Sequence, residues 1–330
     1  MKMSRINLPF LPSSRGGAGG GRATLRRALN WATTRLKNKS RSPALDSEVI
    51  LSFVLKKTRE FLFANPNYEL SNFQLTAYNL LLRKRLRRVP IAYLTGRKEF
   101  YGLDFQVTPD VLIPRPETEL LVELALDRIK NKELRIKNVV DVGTGSGCIV
   151  STLAVIAIRH RRRSNLRFYA TDNSTPALNI ARANARRHGV AKKIKFIKSD
   201  LLSTLPLTIY RLPTLVLANL PYLTPQQYNS NPDLRREPHS ALVSGRDGLK
   251  SFRELFAQLS VIARSQQTTK QSRDRRGLRP RDDDKIMLLL EHDPSQVSKL
   301  KSLTKKYFPS PTKITFHRDL SGRNRVMEMS

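Results

Sequence analysis

The feature that most constrains the fold is an alternation in the second half of the chain. Strand-sized apolar runs at 138–142, 167–171, 194–198, 214–218 and 286–290 are mostly separated by helical stretches. Such alternation calls for parallel strands joined by crossovers, with helices on both faces of one sheet. Two further strands near 313–317 and 324–328 close the chain, joined across Ser321-Gly322-Arg323. A connection this short predicts that the last two pair antiparallel. The expected class is α/β, with a Rossmann-like sheet of seven strands.

The first half reads differently. Leu25, Leu29, Ala32 and Leu36 recur at helical spacing, Asp46 is placed to cap a second helix through Val49, Ile50, Phe53 and Val54, and 71–86 gives a third helix. A small helical bundle is expected over 24–88. The stretch 89–114 alternates, carries Gly96 and Gly102 at turn positions, and reads as a β-hairpin linker. The larger domain then spans 115–330, opening with a helix that starts near Glu117. Within it, 265–284 holds almost nothing apolar and is read as a mobile surface loop.

Composition narrows the classes. Sixty Lys and Arg against 27 Asp and Glu give a net charge of +33, a field that attracts polyanions. Proximity to the ribosome or to RNA is one reading of it, and a merely solvated basic surface is the other. No apolar run approaches the roughly 18 residues that a bilayer span needs, so no membrane association is expected. The single cysteine, Cys148, excludes an intrachain disulfide, and the five histidines are scattered, so no metal is expected. Residues 1–23 are basic and Gly-rich, and are read as a disordered tail rather than a targeting peptide because 16–21 is a poor helix former.

Three sites along the sheet carry chemistry. The first strand runs through Asp141 into Gly143-Thr144-Gly145-Ser146-Gly147, where glycines permit a tight turn and a close approach of ligand to backbone. Asp172 ends the next strand, 25 residues beyond Gly147, and is placed to accept hydrogen bonds from two ribose hydroxyls. Asp200-Leu201 follows the third strand. No Gly-x-x-x-x-Gly-Lys-Ser/Thr run is present, which disfavours a phosphate-cradling loop.

The decisive motif is Asn219-Leu220-Pro221-Tyr222, beyond the fourth strand, where ligands of doubly wound sheets bind. It suits a planar NH2 group whose nitrogen lone pair is delocalised. The Asn219 side-chain carbonyl and the Leu220 backbone carbonyl can each accept one N–H, and Tyr222 offers a stacking face. Orientation and fixed dipoles then activate the nitrogen, with no ionised base.

These motifs, together with 88–96, Phe100-Tyr101-Gly102, Ile113-Pro114-Arg115-Pro116-Glu117-Thr118-Glu119 and Arg236-Glu237-Pro238, resemble the HemK/PrmC family of release factor glutamine methyltransferases from about residue 25 onward. The resemblance implies a helical N-terminal domain, a hairpin linker and a seven-stranded S-adenosylmethionine-dependent methyltransferase domain. It implies methyl transfer to the glutamine amide of the Gly-Gly-Gln motif of a class-1 peptide chain release factor. Asp141, Gly143–Gly147, Asp172, Asp200, Leu201 and Asn219 would hold the cofactor, and Asn219–Tyr222 the substrate. Arg115 and Glu119 are read as tying the linker to the catalytic domain rather than lining the cleft. A monomer in a cytoplasm is expected, with a mitochondrial matrix as the alternative.

One departure keeps a second reading open. The family motif is Asn-Pro-Pro-Tyr, and Leu220 replaces its second residue. Asn-Leu-Pro-Tyr also resembles the motif of ribosomal RNA adenine dimethyltransferases, so an adenine N6-methyltransferase acting on RNA or DNA is the alternative, and a non-catalytic binding module the remaining one.

Overall fold

The computed structural model describes residues 23–131, 133–159, 165–274, 286–309 and 312–330, the side chains of 267–274 excepted. The tail expected over 1–23 lies, but for Ala23, outside the described residues. The chain divides into two units, Met1–Gly96 and Arg97–Ser330.

The first unit is helical: α1 (Leu25–Leu36), α2 (Pro43–Leu55), α3 (Arg59–Ala64), α4 (Asn72–Leu86) and α5 (Ile91–Thr95). Leu25, Ala28, Ala32 and Leu36 form the fully buried stripe of α1, packed with Ile50, Leu51, Tyr78 and Leu82. Asp46 does not cap α2. Ser42 stands at the cap and Pro43 in the first turn, where its fixed φ suits the helix start. Asp46 instead pairs with Arg85 of α4 at 2.6 Å. A capping box of Ser71 and Gln74 starts α4. Two helices were not anticipated. Six-residue α3 is too short to show a period, and α5 occupies part of the stretch read as hairpin, ending at Gly96 with φ +71°.

The second unit opens with the hairpin β1 (Arg97–Phe100) and β2 (Leu103–Gln106), turned at Tyr101 and Gly102. A 3-10 turn, Pro116–Thr118, leads into α6 (Glu119–Lys130). Then follow β3 (Asn138–Val142), α7 (Cys148–Arg159), β4 (Arg167–Asp172), α8 (Thr175–Arg187), β5 (Ile194–Lys198), β6 (Thr214–Ala218), α9 (Pro225–Ser230), α10 (Lys250–Asp274), β7 (Ile286–Glu291), α11 (Val297–Tyr307), β8 (Ile314–Arg318) and β9 (Asn324–Met329). The seven strands order as β5-β4-β3-β6-β7-β9-β8, parallel except that β9 runs antiparallel to both neighbours. The terminal pair is antiparallel, as its short connection predicts.

Burial explains why these strands read as near-continuous apolar runs. Val139, Leu215, Leu217 and Leu289 face one cluster with α6 and α7, while Val140, Val142, Val216 and Leu288 face another with α10 and α11. Both faces are covered, so neither alternate position is free to be polar. The region read as a mobile loop is corrected in part: α10 continues to Asp274 as helix, which straight-chain Gln and Lys favour intrinsically. The remainder, 275–284, lies outside the described residues. No described helix is long and apolar enough to cross a membrane.

This topology fixes where a ligand goes. The chain winds from β3 outward to β5, then returns to β6 on the other side of β3. The carboxyl ends of β3 and β6 therefore flank the switch point of the sheet, and the crevice beyond them is the expected binding place.

Candidate active site

A cavity of about 480 Å3 lies at that switch point. The turn after β3 forms one wall. Thr144 N–H donates to the Thr171 carbonyl at 2.9 Å, and Gly147 N–H to the Thr144 carbonyl at 2.8 Å. Beneath the turn, Asp141 is fully buried and its Oδ2 accepts the Thr144 hydroxyl at 2.6 Å. Burial pushes the Asp141 carboxyl up to about 7, against the pull of that hydrogen bond.

Gly143, Thr144, Gly145 and Ser146 line the cavity, whereas Asp141 and Gly147 do not. Both belong to the support of the loop. A Cβ at Gly147 would lie 2.9 Å from that of Ala181, so this glycine admits α8 rather than a ligand. A Cβ at Gly143 would meet Leu220 at 3.0 Å, which brings the two motifs into direct packing.

Asp172, at the end of β4, lines the cavity and uses both oxygens on backbone: Gly145 N–H at 2.9 Å and Ser174 N–H at 2.8 Å. Burial raises its pKa and those two bonds oppose the rise. Each oxygen keeps a lone pair for a further donor. Asp200 and Leu201 also line the cavity, with Leu201 held in the left-handed region at φ +52°.

The next stretch of the lining begins where β6 ends. Asn219, Leu220 and Pro221 line the cavity. Asn219 directs its side-chain NH2 at the Thr118 hydroxyl, 3.0 Å away. Leu220 is 4% exposed and belongs to the apolar cluster under the sheet, which accounts for a leucine where rigidity alone would favour proline. Tyr222 does not line the cavity. Its ring packs on that same cluster and its hydroxyl reaches Glu291 at 3.4 Å.

Several residues escaped the sequence reading. Gln296, 4% exposed, donates from its side chain to the carbonyls of Tyr222 and Gly248, at 3.0 and 3.2 Å. Glu237 accepts the Ile113 N–H at 3.2 Å and the Arg115 guanidinium at 2.5 Å, clamping one edge of the cavity. Glu291 is buried and pushed up to about 7, mainly by desolvation. Only Thr118 and Glu237 carried a signal, as members of the two recognisable runs around them. Arg115 lines the cavity as well as pairing with Glu237, while Glu119 accepts the Tyr101 N–H at 2.9 Å and ties α6 to the hairpin.

The residues present fit a nucleoside-bearing ligand: a glycine turn with open backbone, and an acidic side chain at the end of the neighbouring strand. Comparison with known proteins agrees. Residues 27–96 match the PrmC N-terminal domain, and 135–213 match a methyltransferase domain. A release factor glutamine methyltransferase of Coxiella burnetii is 35% identical over 306 residues, covering 92% of this chain and 98% of the relative. One from Nitratidesulfovibrio vulgaris is 34% identical over 312 residues, covering 92% and 94%. With such identity over nearly the full length of both chains, and the motifs assembled around one cavity, the chain belongs to the release factor glutamine methyltransferase family.

Proposed function

We propose that this protein transfers a methyl group from S-adenosylmethionine to the side-chain amide nitrogen of the glutamine in the Gly-Gly-Gln motif of a class-1 peptide chain release factor. The observation that carries this reading is that Asn219 and Leu220 line the same cavity as the Gly143–Ser146 turn and Asp172. S-adenosylmethionine supplies an electrophilic methyl carbon when bound. The backbone of Gly143 to Ser146, the Asp172 carboxylate and the Asp200-Leu201 segment would hold it, with Asp141 and Gly147 shaping the turn from behind.

The chain's own part in the reaction is orientation. The Asn219 Oδ1 and the Leu220 carbonyl oxygen each accept one N–H of the substrate amide. Two fixed acceptors hold the NH2 group in one plane and return electron density to a nitrogen that resonance would otherwise deplete. Docking is read as favoured by the charge of +33, which steers a partner held near RNA. The protein is read as a monomer acting in a cytoplasm or a mitochondrial matrix.

The test is methyl transfer from labelled S-adenosylmethionine to a release factor, its Gln-to-Ala variant in Gly-Gly-Gln, and ribosomal RNA, side by side. Label on the release factor and none on its variant is expected. Label on RNA alone would overturn the glutamine reading in favour of an adenine methyltransferase, the alternative that Leu220 keeps open.

A further inference from the structure

We propose that Asn184 is a positioning residue for the cofactor, pinning the Ser146–Gly147 peptide of the glycine turn and coupling that turn to the β1–β2 hairpin. This rests on the reading of the turn as the place where S-adenosylmethionine is held.

An asparagine in the body of a helix calls for an explanation. Its side chain competes with the helix backbone, and a buried amide is costly unless its polar atoms find partners. Asn184 lies in the second half of α8 and is fully buried. Its printed side-chain bonds all go to backbone groups of other elements. Oδ1 accepts the Gln106 N–H at 2.7 Å, while Nδ2 donates to the Gln106 carbonyl and to the Ser146 carbonyl, each at 2.9 Å. A backbone N–H only donates and a carbonyl only accepts, so the direction of all three bonds is fixed.

One side chain thus joins two segments that are distant in sequence. On the hairpin side, the amide stands where a neighbouring strand would, taking the N–H and the carbonyl of the residue that ends β2. The end of α8 extends the same seating. Arg187 pairs with the Asp104 carboxylate at 2.7 Å, and His188 Nε2 lies 3.1 Å from the Asp104 carbonyl. The His188 ring also packs on Phe105, with centroids 4.9 Å apart.

On the turn side, the peptide between Ser146 and Gly147 is held at both ends. Asn184 takes its carbonyl, and the Thr144 carbonyl takes its N–H at 2.8 Å. The N–H groups of Thr144 and Gly145 bond to Thr171 and Asp172, both on β4, so Asn184 adds a tether from α8. The helix comes near enough because Gly147 lacks a Cβ, which would lie 2.9 Å from that of Ala181. Ala181 and Asn184, three residues apart, share a helix face. Ser146 lines the cavity and Asn184 does not, so Asn184 acts through the turn.

A turn that is ordered before its ligand arrives loses less freedom on binding, which tightens binding without any new contact. Because the same amide holds Gln106, a hairpin loosened on α8 loosens the tether on the turn. The coupling is reciprocal, so a cofactor bound at the turn steadies the hairpin in return.

The experiment is a double-mutant cycle read by calorimetry with S-adenosylmethionine, on protein held well below its melting temperature. Asn184→Leu keeps the approximate volume and removes all three bonds. His188→Ala loosens the hairpin on α8 from a half-buried position outside the cavity lining. The dissociation constant is expected to rise on the order of 10-fold in Asn184→Leu, the scale of one hydrogen bond lost at a buried carbonyl. His188→Ala is expected to weaken binding severalfold in the wild-type background, and not further in the Asn184→Leu background. Loss of stability alone would lower the melting temperature and leave the affinity of the folded protein where it was. Unchanged affinity in Asn184→Leu, or equal effects of His188→Ala in both backgrounds, would overturn the proposal. Should Asn184→Leu fail to fold, His188→Ala alone decides, since unchanged affinity there would overturn the coupling.

A second readout needs no cofactor. The backbone amide signal of Gly147 in 15N-labelled protein belongs to the peptide that Asn184 holds, and it is expected to shift in His188→Ala. An unmoved signal would overturn the coupling even if the wild type methylates a release factor. Failure of the wild type to bind S-adenosylmethionine, with that shift present, would count against the cofactor reading and not against the coupling of hairpin and turn.

Discussion

The Asp172 carboxylate accepts the backbone N–H of Gly145 at 2.9 Å, tying the end of β4 to the glycine turn that follows β3. The group placed to meet ribose hydroxyls thus also holds the loop that lines the same cavity. Replacing Asp172 with alanine removes both functions at once. Affinity for S-adenosylmethionine is expected to weaken by roughly 1–3 kcal/mol, the cost of leaving buried partners unmet. Isothermal titration calorimetry checks it, and an unchanged dissociation constant would remove Asp172 from the site.

Asn219 makes a different prediction. It follows β6, and its side chain bonds to Thr118. Asn219→Ala is expected to abolish methyl transfer while leaving cofactor affinity within severalfold of wild type, as for an interaction made chiefly in the transition state. Turnover at the wild-type rate in this variant would sink the proposed orientation mechanism.

What was legible in the sequence follows the range of the forces involved. The strands could be read because a sheet covered on both faces requires apolar residues at successive positions, as in Thr214–Ala218, all five of which are buried. The glycine turn could be read because Gly143, Gly145 and Gly147 all adopt positive φ. Glu291 and Gln296 could not, because nothing near them in the chain reveals that they reach Tyr222 and Gly248. They take their places only through contacts 48 to 74 residues away in sequence. The partner of the Tyr222 hydroxyl was hidden for the same reason, since it lies 69 residues further on. The 265–274 segment misled by composition, since polarity excludes a core and does not exclude a helix.

Gly145 and Gly147, alike in sequence, are expected to separate on substitution. Gly147→Ala forces a Cβ to 2.9 Å from Ala181 Cβ at φ +75°, so α7 and α8 must part. Overpacking of this kind costs about 1–3 kcal/mol beyond the backbone strain. Gly145→Ala meets no atom closer than 3.9 Å and carries the backbone cost alone, roughly 1–2 kcal/mol. Urea unfolding should therefore find Gly147→Ala the less stable of the two, while Gly145→Ala, whose new methyl stands at the cavity wall, is the one that weakens cofactor affinity per unit of stability lost. Equal stability would mean that α8 yields at Ala181 and that packing does not dictate this glycine.

Two buried carboxyls give the fold a pH dependence of defined sign. Asp141 is raised from 3.8 to about 7 and Glu291 from 4.5 to about 7, in both cases chiefly by desolvation. Between the ordinary and the raised values the folded state holds protons that the unfolded state has released. Stability is therefore fully present below about pH 4 and falls as pH rises towards about 7, by up to roughly 1.4 kcal/mol per pH unit for each group. Above that the loss levels off, because both states are ionised. Glu291→Gln puts a neutral side chain of the same shape in the same place, and it removes one of the two contributions. Relative to wild type, the melting temperature of Glu291→Gln is expected to rise steadily between pH 4.5 and 7 and then hold constant, other titrating groups cancelling in the comparison. A difference that does not vary with pH would show that Glu291 ionises normally in the fold. At pH 8, where the wild type holds a buried charge and the variant does not, the variant should be the more stable protein.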